Sequence, residues 1–243
     1  MARLHHGLMR ELIEEIVTGQ LAPGDMLPRE LDLAERFDVS RGVAREGIRA
    51  LEERGLVSVK HGKGATVNEP ALWSALDEDV LDIMIASGAS ERLAEVLECQ
   101  RMFEVQAAGL AATRASEADL SQLDEAIRQM SVSADRVESN RSSAGRYQDA
   151  RLAYHQSVIG GTRNGALCSL TESIHAAVLT ARFWLARPEY RMERAMPEHR
   201  AILAAVAAHD RDAARDAMAR HLTTIESYIT AHNGAGAVRP AQR

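Results

Sequence analysis

Three arginines recur at helical spacing near the N-terminus, within the segment "VSRGVAREGIRALEERGLVSVKHGKGATV". At 100° per residue, Arg41, Arg45 and Arg49 form one row of a predicted helix. A second row, about a quarter-turn away, is apolar and consists of Ala44, Ile48 and Leu51. Guanidinium groups in such a row can contact phosphates and the edges of guanine bases. The arginines are therefore either a solvated helix face or a surface that binds phosphate.

The residues around this helix favour the phosphate-binding interpretation. Ser40 is a good N-cap for the helix, and a shorter predicted helix precedes it after the turn "LAPGDMLP". A predicted hairpin follows, and its turn contributes His61, Gly62 and Lys63. Between residues 36 and 63, seven bases stand against four acids, although the whole chain has a net charge of −6. The pattern predicts a winged helix-turn-helix, a fold that places a helix in the major groove of duplex DNA.

Three histidines in the second half of the chain could bind a metal ion. His155, His199 and His221 each lie on the apolar face of a different predicted helix. A helical bundle can bring such faces together, and imidazole is a common ligand of zinc and nickel. His175 is a fourth candidate on another apolar face. The alternative is that these are core histidines whose hydrogen bonds are satisfied by neighbouring groups.

The elements that must position these side chains are mostly helical. Alanine, leucine, glutamate and arginine dominate the 243 residues while aromatic residues make up only 4%, which favours a mainly α fold. The length favours two domains. We expect a winged helix-turn-helix domain over 1–70, a linker over 71–90, a helical bundle over 91–232 and a disordered tail over 233–243. The helices expected in the bundle span 91–113, 117–138, 145–160, 165–186, 196–209 and 211–231.

The composition also excludes several classes of protein. Charged residues interrupt the N-terminal segment, and no later apolar run approaches the ~20 residues that span a bilayer, so we expect a cytoplasmic protein. Cys99 and Cys168 are far apart, which provides neither a disulfide framework nor the spacing of a cysteine metal site.

The segment "LPRELDLAERFDVSRGVAREGIRALEERGLVSVKHGKGATV" resembles the DNA-binding domain of the GntR family of bacterial regulators. The resemblance covers residues 8 to 68 and implies DNA contacts from the third helix and from the wing. Together with the basic residues around it, it gives a predicted DNA-contacting set of Ser40, Arg41, Arg45, Arg49, His61, Gly62 and Lys63. Leu31 stands where many members have a basic residue, and Gly42 and Val43 replace a threonine-rich pair, so we expect an operator that differs from the common ones.

Residues 75 to 231 resemble the ligand-binding FCD domain of FadR-type members, through "YHQSVIGGTRNGAL" and "EHRAILAAVAAHDRDAARDAMARHL". This resemblance implies an all-helical, dimer-forming domain in which His155, His199 and His221 hold a metal ion beside an effector pocket. It also implies a structural role for Asn164. The stretch "WSALDEDVL" is similar to a linker of members that respond to sugar acids.

Two positions of this chain depart from the FCD pattern. The family's aspartate ligand lies four residues before the first histidine, where this chain has Arg151. The usual pocket arginine is replaced by Gln100, with Arg101 displaced by one position before Glu104. Candidate effector-binding residues are therefore Arg101, Arg151 and Trp184, although Trp184 could equally belong to the core.

Arg151 and His155 are separated by four residues and share a helix face, so a cation would lie where the family has a metal ligand. One hypothesis is that the metal is weakened or absent and that Arg151 binds the carboxylate of the effector. A second is that the three-histidine site survives with a bound metal. A third is that Arg151 extends to solvent or pairs with Glu104.

These features together predict a homodimeric, DNA-binding transcription regulator, a repressor that is released by a small carboxylate such as a sugar acid. Two other functions stay open at this point. The histidine trio could serve a metal-dependent hydrolase, although the chain has no nucleophile-elbow or metalloprotease motif. The protein could also bind DNA without responding to an effector.

Overall fold

The computed structural model describes residues 2–60, 62–87, 90–134, 141–185 and 188–233. The chain forms two compact units, Met1–Arg92 and Leu93–Arg243. Both are built mostly from helices, and a single antiparallel pair of strands lies in the first, among the residues that the structure describes. The predicted mainly α fold with a small hairpin is therefore confirmed.

The first unit has the order of elements of a winged helix-turn-helix. Its helices are α1 (Ala2–Val17), α2 (Glu30–Arg36), α3 (Arg41–Glu53) and α4 (Glu78–Ala86), and its strands are β1 (Val57–Lys60) and β2 (Gly64–Val67). The strands pair in antiparallel register, with Val57 opposite Val67 and Lys60 opposite Gly64. A short 3-10 turn, Pro70–Leu72, follows the hairpin.

The core of this unit forms where the apolar stripes of α1 and α3 meet. Leu8 and Leu12 of α1 and Ala44 and Leu51 of α3 are all fully buried. Gly47 lets the two helices approach closely, because a Cβ atom at this position would lie 2.6 Å from Leu8 Cδ2. The packing of one face of α3 against α1 leaves its next face directed to solvent.

The segment 71–90, expected to be a linker, contributes to the same core. Trp73 is buried, and its indole Nε1 donates a hydrogen bond to the Asn68 carbonyl over 3.1 Å. Val80 and Ile83 of α4 are buried with the residues of α1 and α3. Arg10 and Asp82 form an ion pair of 3.1 Å between α1 and α4.

The second unit consists mainly of long helices. They are α5 (Ser90–Arg114), α6 (Glu117–Ala134), α7 (Arg141–Gly160), α8 (Gly165–Leu185), α9 (Pro188–Ala207) and α10 (Arg211–Asn233). A capping box starts α6, since Ser116 N donates to Asp119 Oδ2 and Asp119 N donates to Ser116 Oγ. Asn164 caps α8 by accepting a hydrogen bond from Leu167 N.

Two helices start earlier than the sequence predicts. We expected a helix over 145–160, but α7 begins at Arg141. We expected a helix over 196–209, but α9 begins at Pro188 and includes Pro197 in its interior. Proline is most common in the first turn of a helix, so Pro197 favours a helix that begins near residue 196. In the structure, α9 begins about two turns earlier, at Pro188. The predicted tail after residue 233 lies outside the described residues. None of the described helices is long and apolar enough to cross a membrane.

Gly55, just after α3, has a backbone conformation that only glycine adopts without strain. Its replacement should therefore destabilise the first unit. Its φ is +72°, and an added Cβ would overlap the Leu72 carbonyl oxygen. We expect Gly55→Ala to lower the free energy of unfolding of the first unit by about 2–4 kcal/mol, measured by chemical denaturation. Gly19→Ala is the matched control: its φ is +77° but its Cβ would meet nothing within 4 Å, so the cost should stay at about 1–2 kcal/mol. Equal losses in both variants would show that the contact with Leu72 is unimportant.

Candidate functional site

The arginine row of α3 is exposed along its whole length. Arg41, Arg45 and Arg49 all face solvent, while Ala44 and Leu51 on the neighbouring face are buried. Surface carboxylates pair with two of the three side chains. Arg41 Nε lies 2.9 Å from Glu30 Oε2 on α2, and Arg49 Nε lies 3.2 Å from Glu53 Oε1 on α3. The first of these pairs connects the start of α2 to the start of α3, so it orients Arg41 at the N-terminal end of the exposed face.

Ser40 begins this helix as the sequence predicts. Its Oγ accepts a hydrogen bond from Val43 N over 3.3 Å, and its backbone is extended as an N-cap requires. The hydroxyl proton remains available for donation to another acceptor. The residue is exposed, so it lies at the same solvent-facing end of α3 as Arg41.

The hairpin supplies a second exposed basic surface. Lys60 and Lys63 face solvent at its tip, and Gly62 and Gly64 have φ angles of +74° and +89°. These left-handed conformations make the turn tight without side chains that would keep a ligand at a distance. His61 lies outside the described residues.

The three histidines named from the sequence come together inside the second unit. His155 of α7, His199 of α9 and His221 of α10 are buried, and one potential ligand atom from each lies within 4.8 Å of the others. The ring centroids are 4.4 to 5.6 Å apart. Three imidazoles from three helices at this separation could hold one metal ion.

Two carboxylates determine which ring nitrogens face the centre of the cluster. His155 Nδ1 lies 2.6 Å from Glu104 Oε2, and His221 Nδ1 lies 2.9 Å from Glu198 Oε2. An ionised carboxylate only accepts, so each Nδ1 carries the proton and each Nε2 keeps a lone pair. The Nε2 atoms of His155 and His221 are buried without a hydrogen-bond partner in the described part of the chain. Buried lone pairs of this kind are suited to a cation.

The environment keeps the imidazoles of His155 and His221 in the neutral form that binds metals. Burial lowers the pKa of His155, and the positive charge of Arg151 lowers it further. Burial also lowers the pKa of His221 to about 3, again with a contribution from Arg151. Because a metal ligand must be deprotonated, both side chains are ready to coordinate at neutral pH.

Glu104 contacts two of the four histidines that are buried in the described part of the chain, His155 and His175. It is 1% exposed, and its two oxygens bind His155 Nδ1 and His175 Nε2, the latter over 2.9 Å. Gln100 Nε2 also donates to Glu104 Oε1 over 2.5 Å. Burial would raise the pKa of Glu104, but the hydrogen bonds from His155 and His175 hold it well below its ordinary value. The structure therefore places His175 behind Glu104 rather than in the three-histidine cluster.

Arg151 lies beside the cluster and is buried, with only 6% of its surface exposed. Its Nε donates to Gln148 Oε1 over 2.9 Å. The alternative in which Arg151 extends to solvent is wrong, because its side chain is buried. Its charge acts on both His155 and His221, as the pKa of each shows.

The other two candidate effector residues are placed differently. Arg101 reaches from α5 to α10, where its Nη1 donates to Thr223 Oγ1 over 2.9 Å and lies 3.3 Å from Glu226 Oε2. This partly exposed ion pair connects two helices, and the structure does not bring it into the histidine cluster. Trp184 belongs to α8, but its side chain lies outside the described residues.

Sequence reasoning missed the roles of Glu104 and Glu198. Both belong to predicted amphipathic helices, and only the folded structure shows which imidazole each one contacts. Glu104 does carry a signal, since it interrupts the apolar face of α5 between buried Leu97 and Ala108. A carboxylate in such a position needs partners for its charge.

The contact between Glu198 and His221 generates a prediction about metal affinity. Glu198→Gln keeps an oxygen that can accept from His221 Nδ1 but removes the negative charge that makes the ring a better ligand. We expect Zn²⁺ affinity to fall about 10–100-fold in competition titrations with a chromophoric chelator. Glu226→Gln is the control, because it makes the same change at the partly exposed carboxylate paired with Arg101. Unchanged affinity in Glu198→Gln would show that this carboxylate does not support a metal site.

Comparisons with known families agree with both units. Residues 5–67 match the family described as bacterial regulatory proteins, gntR family, and residues 95–224 match the FCD domain. A solved structure of Lar from Listeria monocytogenes is 20% identical, with a TM-score of 0.66 over 93% of this chain and 96% of that one. At this level of identity the likeness shows the fold.

Curated relatives extend the match over nearly the whole chain. The galactonate operon transcriptional repressor of Escherichia coli K12 is 32% identical over 208 residues, or 84% of this chain and 87% of the relative. The HTH-type transcriptional regulator LutR of Bacillus subtilis is 31% identical over 223 residues, which cover 89% of this chain and 97% of the relative. The Exu regulon transcriptional regulator of E. coli K12 is 29% identical over 226 residues, which cover 90% of this chain and 82% of the relative.

The fold, the exposed basic helix and these matches define the protein as a DNA-binding transcription regulator with an effector-binding domain. The chain belongs to the GntR family and carries an FCD domain. The family and its relatives are regulators and not enzymes, which confirms the prediction of a DNA-binding transcription regulator and leaves a metal-dependent hydrolase unsupported.

Proposed function

We propose that this protein is a repressor that leaves its operator when a small carboxylate of the sugar-acid class binds to the second unit. The observation that carries the DNA-binding part is the exposed arginine row of α3 beside a fully buried face. The effector class is supported by relatives named for a galactonate operon and for the Exu and Uxu systems, at 28 to 32% identity.

In this proposal, the N-terminal half of α3 enters the major groove. Arg41 and Arg45 are nearest to that end and contact guanine edges or phosphates, as arginines on a recognition helix do. Ser40 donates its hydroxyl proton to a phosphate. Arg49 and the wing residues His61, Gly62 and Lys63 bind the backbone of the duplex and set the orientation of the domain.

In this proposal, the protein binds its operator as a homodimer. Two copies of the first unit would read two half-sites of a pseudo-palindrome, about one helical turn or a multiple of it apart. Each copy presents the basic residues of α3 and the wing, so the affinity should fall steeply as the salt concentration rises.

The second unit senses the effector at the histidine cluster. His155, His199 and His221 would hold a divalent ion, zinc or nickel, and their nitrogen donor set suits both metals. When bound, the ion supplies a Lewis-acid position for a carboxylate oxygen. Arg151 supplies a guanidinium for the same anion. The effector must bind one conformation of the protein better than the other, since only differential binding can change the affinity for the operator.

A substitution in α3 tests the DNA-binding part. A duplex selected from a random library by the wild-type protein serves as the probe. Arg45→Ala should lose specific binding to it by at least about 10-fold in an electrophoretic mobility shift, because one good bidentate contact discriminates by about 1–3 kcal/mol. Arg128→Ala, which removes an exposed arginine from α6, is the control and should bind like wild type. Wild-type affinity in Arg45→Ala would overturn the assignment of α3 as the reading helix.

A ligand panel tests the effector class. With the same duplex bound, galactonate, glucuronate, galacturonate and simple short carboxylates are added in turn. At least one sugar acid should weaken DNA binding about 5–150-fold, the usual range of allosteric coupling, while the corresponding neutral sugar has no effect. If none of these compounds weakens DNA binding, the alternative of a DNA-binding protein without an effector of this class is favoured.

A further inference from the structure

We infer that Glu52 positions the wing, the hairpin formed by β1 and β2, so that its basic tip and α3 contact the same DNA duplex. The carboxylate of Glu52, on α3, holds the main chain of Val59, on β1, one residue before Lys60. The inference rests on the proposed DNA-binding surface and adds the contact that fixes one half of that surface relative to the other. Glu52 is a positioning residue, because it acts through the hairpin and does not itself contact DNA.

The first step is the direction of the Val59 main chain. Val59 lies opposite Ala65 in the antiparallel register of the hairpin. The carbonyl of Ala65 accepts a hydrogen bond from Leu27 N over 2.9 Å, so the main chain of Ala65 points away from β1. In an antiparallel pair of this kind, the main chain of the opposite residue points away as well. The N–H of Val59 therefore lies on the outer edge of β1 and cannot bond to β2.

The second step is the way in which the two edges of the hairpin are held. The outer edge of β2 is paired with the main chain of residues 24–27, where Gly24 N and Leu27 N each donate over 2.9 Å. On the outer edge of β1, Glu52 Oε1 accepts from Val59 N over 3.0 Å. A two-stranded hairpin is marginally stable by itself, so contacts at its edges determine where its tip points. The bond from Glu52 connects one of these edges directly to α3.

The third step is the electrostatic cost of an acid at this position. Glu52 lies in the last turn of α3, where the partial negative charge of the helix end disfavours a carboxylate. When α3 binds a duplex, the phosphates add a second repulsion. No cation pairs with Glu52 in the described part of the chain, whereas the neighbouring Glu53 pairs with Arg49. The hydrogen bond from Val59 N, which the charge of the carboxylate strengthens, offsets this cost.

The bond places the basic tip of the wing relative to α3. Lys60 follows Val59 directly, and Lys63 is exposed across the turn. With the edge of β1 held, both lysines face the duplex that α3 reads, and the tip needs little ordering when DNA binds. Without the bond, the tip moves among positions in which the lysines do not reach phosphates. The packing of α3 in the core does not depend on this bond, so the reading of bases should survive its loss.

The test compares two substitutions that remove the same charge. Glu52→Gln keeps an oxygen that can accept from Val59 N, whereas Glu52→Ala does not. Full-length protein is titrated onto a duplex selected by the wild-type protein, and the affinity is measured by fluorescence anisotropy from about 50 to 200 mM KCl. Each phosphate contact contributes about 0.9 to the slope of log affinity against log salt, a factor of about 3.5 over this range. We expect Glu52→Gln to keep the wild-type slope and Glu52→Ala to lose at least about 0.9 of it.

Two further measurements separate positioning from a general loss of structure. The amide proton of Val59 should exchange with solvent faster in Glu52→Ala than in Glu52→Gln, as measured by NMR, because only the alanine variant lacks the acceptor. The ratio of affinities for the selected duplex and for one with its guanines replaced by adenines should be the same in both variants, because α3 reads the bases. Glu35→Ala and Glu35→Gln make the matched changes at an exposed acid of α2 and should have equal slopes.

Lysine substitutions show whether Glu52 acts through the wing. Lys60→Ala/Lys63→Ala should lower the salt slope in the Glu52→Gln background. The same pair of substitutions should add little in the Glu52→Ala background, because the contacts of the wing with phosphates are already lost there. Residues that act through one contact give such non-additive effects.

Equal salt slopes in Glu52→Ala and Glu52→Gln would overturn the inference, and so would a lysine effect of the same size in both backgrounds. Either result, together with lost binding in Arg45→Ala, would leave α3 as the reading helix and reject only the role of Glu52. If Lys60→Ala/Lys63→Ala leaves the slope of otherwise wild-type protein unchanged, the wing does not contact DNA. That result would reject the proposed wing contacts and the positioning role with them.

Discussion

A buried carboxylate organises the second unit of this protein. Ionised Glu104 has almost no contact with solvent, and an isolated charge in such a place would be very costly. It is tolerated because His155, His175 and Gln100 all donate hydrogen bonds to it. These bonds connect α5 with α7 and α8, and they also prevent the ring of His155 from turning. The direction of the His155 lone pair, and so the whole cluster, depends on this one acceptor.

The cluster is suited to regulation because its parts come from different helices. His155, His199 and His221 belong to α7, α9 and α10, so a ligand that contacts all of them favours one packing of those helices over another. The positive charge of Arg151 lowers the pKa of both His155 and His221. The first unit is built differently, with one face of α3 in the core and the adjacent face left in solvent. In the proposed function, the exposed arginine row binds a large anion and the buried cluster a small one.

Patterns along one element could be predicted from the sequence, and contacts between elements could not. The spacing of apolar residues predicted most helices, the hairpin and the apolar face on which each of the three histidines lies, because each of these follows from the period of a single element. That the three faces meet was implied by the resemblance to the FCD domain. The start of α9 was misplaced, since Pro197 resembles a first-turn proline but lies inside the helix. The partners of Glu104 and Glu198, and the separation of Arg101 from the cluster, depend on how helices far apart in sequence face each other.

X-ray absorption at the zinc edge tests the central claim, that His155, His199 and His221 bind one ion through their inward nitrogens. The measurement uses tag-free protein loaded with one equivalent of Zn²⁺ in the presence of galactonate. Three imidazole nitrogens are expected at about 2.0–2.1 Å from the zinc ion, with oxygen as the remaining ligand atoms. A spectrum with one imidazole or none, or with sulfur as a ligand, would place the metal elsewhere and contradict this claim.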